Sequence, residues 1–470
     1  MTERLSSGDA RIDEVLGGGL PLNAINMIIG VPGSGKTILS QQYAFHNATA
    51  EHPALYLSTV SEPFDKILRY GQRLAFFDRA AVTDRRVVYD DLGETLVKDG
   101  LGGVLGAMDR FLREVRPGLV VIDSVKALHA FAKDEGDFRQ FLHGLSRRLT
   151  ATAATSIWIG EYGRMEAVGA AEFAVADAII ALDTKRLGER EVRVLQVLKL
   201  RGSGFQGGEH TYRISSEGLK VFPRLADVQD RSAYELGVGR VSTGVDALDE
   251  MLSEGYWPGS STMIVGPSGV GKTLLGLHFI YAGAKAGEPG VMATFHENAT
   301  QLARIVKGFG WEIDDPNVHV LSRSIVDIYL DEWVYELLDL VQKTGAKRIV
   351  IDSLPDLMTA AGDSTRFREW MFSLVQRCTR LGISLILIVE VPDLFRIVRI
   401  SEFGISHLSD NVILLQYIRE GSRLSRALTV LKTRATRHEP VVRRYEITKQ
   451  GFVLGEEVSP DGFDQKVPVL

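Results

Sequence analysis

Apolar and polar positions alternate along this chain in a pattern that predicts many short buried strands separated by helices. Residues 119–122 and 385–389 are uninterrupted apolar runs of four and five residues, the length of a strand that is covered on both faces. Residues 138–149 and 365–381 instead repeat their apolar side chains every three or four positions, which is the spacing of an amphipathic helix. Strands that alternate with helices favour parallel βαβ units, so we predict an α/β fold with mainly parallel central sheets.

The amino-terminal part of the chain recurs in its second half. Residues 6–39 match residues 242–275 at a constant shift of 236 positions without a gap, and 14 of the 34 positions are identical. Further along, residues 119–124 (LVVIDS) resemble residues 348–353 (RIVIDS). A period of about half the chain is too long for a solenoid repeat, so the chain is a tandem duplication of one complete domain.

The duplication sets the predicted domain boundaries. The first domain covers residues 1–224 and the second covers residues 240–449. Residues 225–239 are polar and lie just before the second copy begins, so we predict a linker there. Residues 450–470 form a short, charged stretch broken by two prolines, which predicts a loosely held tail.

Composition narrows the class of protein. Of the 470 residues, 45% are hydrophobic and 24% are charged, values typical of a globular protein, which excludes a disordered or fibrous chain. The net charge of −6 argues against a protein whose main task is to coat duplex DNA. Cys378 is the only cysteine, which excludes an intramolecular disulfide and a cysteine-based zinc site. The sequence shows neither a secretion leader nor an apolar run near the ~20 residues of a membrane span, so we expect a cytoplasmic protein.

Two glycine-rich stretches fit the phosphate-loop pattern G-x-x-x-x-G-K-[ST]. Residues 30–37 (GVPGSGKT) and 266–273 (GPSGVGKT) each follow an apolar strand and precede a predicted helix, the context that the motif requires. Backbone N–H groups at such a helix start surround the β-phosphate of a nucleoside triphosphate, and the lysine neutralises the β- and γ-phosphate oxygens. A glycine-rich turn that merely ends in Lys-Thr is the alternative, and the recurrence of the whole pattern at one register argues against it. The predicted nucleotide-binding residues are Gly33, Ser34, Gly35, Lys36, Thr37, Gly269, Val270, Gly271, Lys272 and Thr273.

An aspartate ends an apolar strand in each half. Asp123 and Asp352 follow the runs LVVI and RIVI, where a buried carboxylate is costly unless it meets a cation or hydrogen-bond donors. In a phosphate-loop protein this position holds Mg²⁺ together with the hydroxyl of the loop threonine, so Thr37 and Thr273 complete the two predicted metal sites. The alternative is that each aspartate caps the turn that follows. The ten histidines show no ligand spacing, so no transition-metal site is predicted.

One glutamate in each half stands where this kind of enzyme has the carboxylate that orients or deprotonates the attacking water. Glu62 and Glu297 each follow a strand-like apolar run. Their registers differ by one, because a shift of 236 from Glu62 leads to Asn298. The alternative is a loop glutamate that is exposed to water. Glu161 and Glu390, at the ends of the strands after the two aspartates, are the next candidates for the base.

Paired cations follow an apolar run in each half. Lys199 and Arg201, like Lys432 and Arg434, are two residues apart, and in a strand that spacing directs both side chains to one face. Two like charges side by side repel each other, so the pair implies an anionic partner. A solvated edge strand is the alternative for one such pair, and the recurrence of the pair favours contact with a phosphate.

In combination, these motifs resemble the tandem RecA-like ATPases of the KaiC type, a family at the core of the cyanobacterial circadian clock with relatives in other bacteria and archaea. The similarity covers nearly the whole chain and rests on both phosphate loops, both Ile-Asp-Ser strand ends, residues 199–202 with 208–209, and residues 405–417 before 425–427. The resemblance implies two RecA-like P-loop NTPase domains, ATP and Mg²⁺ as ligands, and a two-tiered homohexamer with ATP between neighbouring subunits. It also implies that the Lys-x-Arg pair reaches the nucleotide of the adjacent subunit and that a small KaiB-like signalling protein is a partner.

This chain departs from the clock members of the family at two places. Those members carry two adjacent glutamates after the strand, whereas each half here has one, with His296 before Glu297 in the second half. A single carboxylate must then act as the base. Alignment with the family matches Ser406 to the phosphorylated serine and His407 to the phosphorylated threonine. Ser406 is therefore the predicted phosphorylation site, and a serine that caps a turn is the alternative.

The function predicted from these residues is that of an ATP-binding and ATP-hydrolysing homohexamer whose turnover or phosphorylation state serves as a signal. Serine/threonine autokinase activity at Ser406 is a further expectation. One alternative is a RecA- or RadA-like DNA-dependent ATPase in recombination or repair, which predicts hydrolysis stimulated by single-stranded DNA and DNA binding that depends steeply on salt. The acidic balance and the lack of aromatic residues interleaved with basic ones count against it. In another alternative, one half binds ATP only as a structural ligand.

Overall fold

The computed structural model describes residues 4–59, 64–163, 170–187, 190–225, 237–324, 326, 328–392, 408–420, 422–434 and 436–458. The chain divides into two compact units, residues 1–224 and 225–470, and each is described by itself. The first unit ends where the sequence predicts the end of the first domain. Most of the predicted linker, together with Glu62 and Ser406, lies outside the described residues.

Within the described residues, the first unit contains eight helices and eleven strands. The helices are α1 Ala10–Val15, α2 Lys36–Asn47, α3 Phe64–Gly71, α4 Arg79–Thr83, α5 Gly93–Glu114, α6 Val125–His129, α7 Glu135–Ala151 and α8 Ala171–Val175. The strands are β1 Arg4–Leu5, β2 Leu20–Pro21, β3 Ile25–Gly30, β4 Ala54–Ser58, β5 Val87–Asp91, β6 Leu119–Asp123, β7 Thr155–Gly160, β8 Ala178–Leu187, β9 Arg190–Leu200, β10 His210–Ser215 and β11 Gly218–Phe222.

The second unit contains six helices and nine strands over the part of the chain that the structure describes. The helices are α9 Asp246–Met251, α10 Lys272–Lys285, α11 Ala299–Gly308, α12 Leu330–Thr344, α13 Leu354–Ala361 and α14 Ser364–Arg380. The strands are β12 Ser261–Gly266, β13 Gly290–Thr294, β14 Val318–Ser322, β15 Arg348–Asp352, β16 Ser384–Glu390, β17 Asn411–Glu420, β18 Arg423–Lys432, β19 Val442–Thr448 and β20 Gly451–Glu457. None of the described helices combines the length and the apolar character that are needed to span a bilayer.

Each unit builds one nine-stranded sheet from its described strands, and the two sheets have the same strand order. The first sheet runs β11-β10-β9-β8-β3-β7-β6-β4-β5, and the second runs β20-β19-β18-β17-β12-β16-β15-β13-β14. In the first sheet β8, β3, β7, β6, β4 and β5 are parallel, whereas β9, β10 and β11 continue the sheet antiparallel. The second sheet repeats this pattern. The predicted α/β fold with mainly parallel sheets is confirmed, and the duplication extends to the order of the strands.

The central strand β3 shows why the strand runs are apolar without interruption. Successive side chains of a strand point to opposite faces of the sheet. Ile28 packs into one buried cluster with Tyr43 of α2, whereas Met27 and Ile29 pack into another with Leu145 of α7. Helices therefore cover both faces of the sheet, and a polar site has room only where the strands end.

The last strand of the second unit corrects the predicted boundary of the tail. Strand β20 pairs antiparallel with β19, beyond the point at which the sequence suggests a loosely held segment from residue 450. Phe452 is buried, its ring stacks on that of Tyr445 at 4.1 Å, and its N–H donates to Nε2 of His278 at 2.8 Å. These contacts hold the strand in the sheet, although the charged residues at its end suggest an exposed segment when the sequence is considered alone. The described part of the second unit extends to residue 458.

Candidate nucleotide-binding sites

Each phosphate loop joins the end of the central strand of a sheet to the start of a helix. The loop between β3 and α2 holds Gly33 and Gly35 at φ angles of +76° and +93°, and the loop between β12 and α10 holds Gly269 and Gly271 at +74° and +107°. Glycine adopts this left-handed backbone without a steric cost, which explains the glycine pattern of the sequence. A Cβ on Gly35 would also lie 2.7 Å from Cδ1 of Ile214, so β10 supports the loop from behind. The predicted strand–loop–helix context is present in both units.

The lysine of each motif lies inside its own loop. Nζ of Lys36 donates to a carbonyl oxygen of its loop at 2.9 Å and lies 3.8 Å from Oε1 of Glu161. Nζ of Lys272 donates to a loop carbonyl at 2.7 Å and lies 3.4 Å from Oε2 of Glu390. Burial lowers the pKa of both ammonium groups, and the negative charges of the nearby glutamate and aspartate oppose that shift. The two glutamates named above as next candidates for the base thus contact the phosphate-loop lysines.

The threonine of each loop meets the aspartate that ends a neighbouring strand. Oγ1 of Thr37 donates to Oδ2 of Asp123 at 2.9 Å, and Oγ1 of Thr273 donates to Oδ2 of Asp352 at 2.5 Å. Strand β7 lies between β3 and β6, so the first turn of α2 carries the threonine across to the aspartate. The structure therefore brings together, in each unit, the two side chains predicted to hold a metal.

The environment of Asp352 favours a cation. Burial is the main reason why the pKa of Asp352 is raised to about 6; the charge of Glu297 also raises it, whereas the hydrogen bond from Thr273 and the charge of Lys272 oppose the shift. One hydroxyl and one carboxylate fit Mg²⁺, which takes few protein oxygens and completes its shell with water and substrate phosphates. Among the described residues, no cluster of three or more His, Cys, Asp or Glu could hold a metal without such help.

Glu297, the predicted base of the second unit, lies near Asp352 at the carboxyl ends of the strands. It follows β13, which neighbours β15 in the sheet. Oγ1 of Thr294 donates to Oε2 of Glu297 at 2.8 Å, and Oγ of Ser322 donates to its backbone oxygen at 3.0 Å. The carboxylate is therefore held in place while it remains half-exposed to solvent. Glu62 lies outside the described residues, so its place in the first site stays a prediction.

The paired cations of the first unit lie at the edge of the sheet opposite to the phosphate loop. Nζ of Lys199 donates to the backbone oxygen of Phe173 in α8 at 3.0 Å, and Arg201 lies 3.3 Å from Oδ1 of Asp177. The same aspartate accepts a hydrogen bond from the N–H of Ile25, the first residue of β3. The loop starts at Gly30, the last residue of that strand, about 16 Å farther along at ~3.3 Å per residue.

The second unit repeats this arrangement. Lys432 donates to the backbone oxygen of Ser409 at 2.7 Å, and Arg434 lies 3.7 Å from Oδ1 of Asp410. Asp410 accepts a hydrogen bond from the N–H of Ser261, the first residue of β12. Both arginines lie just beyond their strands, which end one and two residues earlier. The alternation of side chains along a strand, on which the prediction relied, therefore does not determine where the arginines point. Burial is the main cause that lowers the pKa of both lysines, and repulsion from the neighbouring arginine lowers it further.

Sequence reasoning missed two tyrosines that support the phosphate loops. The hydroxyl of Tyr212 donates to the backbone oxygen of Ser34 at 2.6 Å, and that of Tyr445 donates to the backbone oxygen of Val270 at 2.5 Å. The signal was available, because the two tyrosines are 233 residues apart, as Lys199 and Lys432 are. A third tyrosine, Tyr56, donates to Asp123 in the first unit and stands within an apolar run that showed only a strand.

Comparison with known proteins places both units in one group. A family model described as "ATPase: KaiC" matches residues 5–226 and again residues 241–459. The chain is similar to the circadian clock oscillator protein KaiC of Rippkaea orientalis, with 28% identity over 93% of this chain and 86% of that protein. It is also similar to the circadian clock protein KaiC3 of Synechocystis sp., with 26% identity over 97% of this chain and 92% of that protein.

Proposed function

The chain belongs to the KaiC family of ATPases, and on that premise we propose that it is a cytoplasmic homohexameric ATPase whose nucleotide state acts as a signal. Two phosphate loops in one chain, each with its lysine, threonine and aspartate, support a double-tiered assembly in which both tiers bind ATP. Small signalling proteins of the KaiB kind are the proposed partners. The relatives are named as clock proteins, and for this chain the proposal is a signalling role of which timekeeping is one form.

The observation that carries this proposal is the meeting of lysine, threonine and aspartate at each loop. Thr37 with Asp123, and Thr273 with Asp352, would hold Mg²⁺, which when bound neutralises charge on the β- and γ-phosphates. The loop N–H groups and the loop lysine bind the remaining phosphate oxygens. On binding, each ammonium exchanges its contacts with the loop carbonyl and the glutamate for contacts with phosphate.

Hydrolysis then needs a group that accepts a proton. In the second site Glu297 orients a water molecule and takes its proton as the water oxygen bonds to the γ-phosphorus. The bond from that phosphorus to the bridging oxygen breaks, and ADP and phosphate leave. The contact with Thr294 supports this role, because it orients one carboxylate oxygen and leaves the other for water. Glu62 is the proposed counterpart in the first site.

The position of the paired cations supports sites that are shared between subunits. Arg201 and Arg434 lie at the far edge of the sheet from the loop of their own domain, so a nucleotide there is out of their reach. The loop of a neighbouring copy can meet them if copies join head to tail. Each Lys-x-Arg pair would then offset the charge of one ATP and stabilise the assembly.

We therefore expect ATP with Mg²⁺ to drive assembly. Light scattering of the protein at micromolar concentration should give a mass near six copies of the 51.8 kDa chain with ATP, and a lower mass without nucleotide. Replacing Arg201 and Arg434 together with alanine should reduce the ATP-dependent mass, since each change removes a charge from the proposed contact. Arg437→Ala, a change at an exposed arginine, is the matched control and should assemble normally. A monomer at saturating ATP and Mg²⁺ would contradict shared sites.

Autokinase activity is the second part of the proposal, and it rests on Ser406. A serine hydroxyl near the γ-phosphate of a neighbouring subunit needs positioning and a base, which Glu297 can supply across the interface. Incubation with γ-labelled ATP should release labelled phosphate and, over a longer time, should label the chain. Replacing Ser406 with alanine should remove the label and keep the release. Release without any label on Ser406 would leave an ATPase that is not an autokinase, whereas no release would refute the ATPase proposal.

A further inference from the structure

Asp123 has a hydrogen-bond donor for which the described residues of the second unit offer no counterpart at Asp352. Tyr56 of β4 is fully buried, and its hydroxyl donates to Oδ2 of Asp123 at 2.8 Å. This is the same oxygen that accepts from Thr37 at 2.9 Å. In the second unit, Met292 occupies the equivalent position, since Tyr56 pairs with β6 as Met292 pairs with β15.

Two further side chains with hydroxyl groups lie beside Tyr56, and both are replaced by other residue types in the second unit. Oγ of Ser40, on α2, lies 3.3 Å from the Tyr56 hydroxyl, and the ring of Tyr89 lies 5.2 Å from the Tyr56 ring. The positions equivalent to Ser40 and Tyr89 are Gly276 on α10 and Val320 on β14. A buried hydroxyl is costly without a partner, so the phenol is held by the hydrogen bond that it donates to Asp123. In the first unit a buried phenol therefore holds the metal-site aspartate, whereas the equivalent methionine of the second unit cannot donate such a hydrogen bond.

We propose that Tyr56 is a positioning residue that holds Asp123 ready for a divalent cation, so that the first site needs less Mg²⁺ than it would without the phenol. This inference rests on the proposed function of the site. The Thr37 hydroxyl binds Asp123 and would also bind the cation. The Tyr56 hydroxyl donates to Asp123 and would not bind the cation. Supporting hydrogen bonds of this kind commonly change metal affinity by about 10- to 100-fold. The duplicated sites would then respond at different Mg²⁺ concentrations.

The test uses the full chain with Lys272→Ala, which leaves the first site as the one that binds nucleotide. A fluorescent ATP analogue reports binding while Mg²⁺ is titrated, and electron paramagnetic resonance of Mn²⁺ reports binding of the metal itself. Tyr56→Phe should raise the Mg²⁺ concentration at half-maximal binding by about tenfold and weaken Mn²⁺ binding to a similar degree. Binding of the analogue in the presence of a chelator should not change. Tyr56→Met, which copies the second unit, should give the same shift.

Two controls separate a positioning role from a loss of structure. Tyr43→Phe removes a hydroxyl from another fully buried tyrosine, on α2, and should leave the Mg²⁺ midpoint where it is. Tyr56→Phe combined with Lys36→Ala should leave the second site unchanged. The inference is overturned if Tyr56→Phe shifts neither metal, if it weakens binding equally with chelator, or if Tyr43→Phe gives the same shift. A Lys272→Ala chain that binds no analogue at any Mg²⁺ concentration would instead overturn the proposed function and, with it, this inference.

Discussion

Replacing Glu297 with glutamine is expected to slow ATP hydrolysis at the second site by about 100- to 10,000-fold while ATP remains bound. Glutamine keeps the size of the side chain and can still accept the hydrogen bond from Thr294, but it cannot take a proton from water. The measurement is the rate of phosphate release in a Lys36→Ala background, which confines hydrolysis to the second site. Binding of ATP is measured in parallel and should change little.

A control variant and a follow-up variant show how the result for Glu297 is interpreted. Glu369→Gln, at an exposed position of α14, is the matched control and should hydrolyse ATP at the parent rate. If Glu297→Gln also hydrolyses at the parent rate, Glu297 is not the base, and Glu390, which contacts Lys272, becomes the next residue to replace. In the first site the same experiment applies to Glu62→Gln in a Lys272→Ala background.

Lys36→Ala and Lys272→Ala should each weaken ATP binding strongly at one site and leave the other intact. Each ammonium is buried in the loop of its own domain, and hydrogen bonds to charged groups contribute about 1.5–3 kcal/mol, or roughly 10- to 150-fold in affinity. Titration calorimetry should count two ATP molecules per chain for the wild type and one for each variant.

The control for the lysine variants is Lys285→Ala, which removes an exposed lysine from the last turn of the helix that begins with Lys272. It should bind two ATP molecules per chain. Equal weakening of both sites by either loop variant would contradict two separate sites. Such a result would mean that the loss of one nucleotide disturbs the other domain.

The phosphate loops and the two aspartates could be predicted from the sequence because their geometry dictates residue type. Gly33 and Gly35 adopt positive φ angles that other residues avoid, and Asp123 ends a buried strand where a carboxylate needs a partner. The duplication helped as well, since a motif that recurs at one register is hard to attribute to chance. The fold class followed from the same alternation of apolar runs.

The rest depends on contacts that no local pattern encodes. Tyr56 meets Asp123 because β4 and β6 are neighbours in the sheet, although the two residues are 67 positions apart in the chain. Phe452 holds β20 through its contacts with Tyr445 and His278, which a charged and proline-broken stretch of sequence does not suggest. Strand order and register decide both cases, and these are properties of the whole sheet.

The separation of each loop from the cations of its own domain has a consequence for how an assembly would close. If copies join head to tail, an open row of subunits has one fewer complete site per tier than it has subunits, because the loop at one end and the cations at the other lack a neighbour. Closing the row into a ring completes the last site in both tiers at once. Nucleotide would then favour closed rings over open rows of the same length, and ring closure itself would be cooperative in ATP.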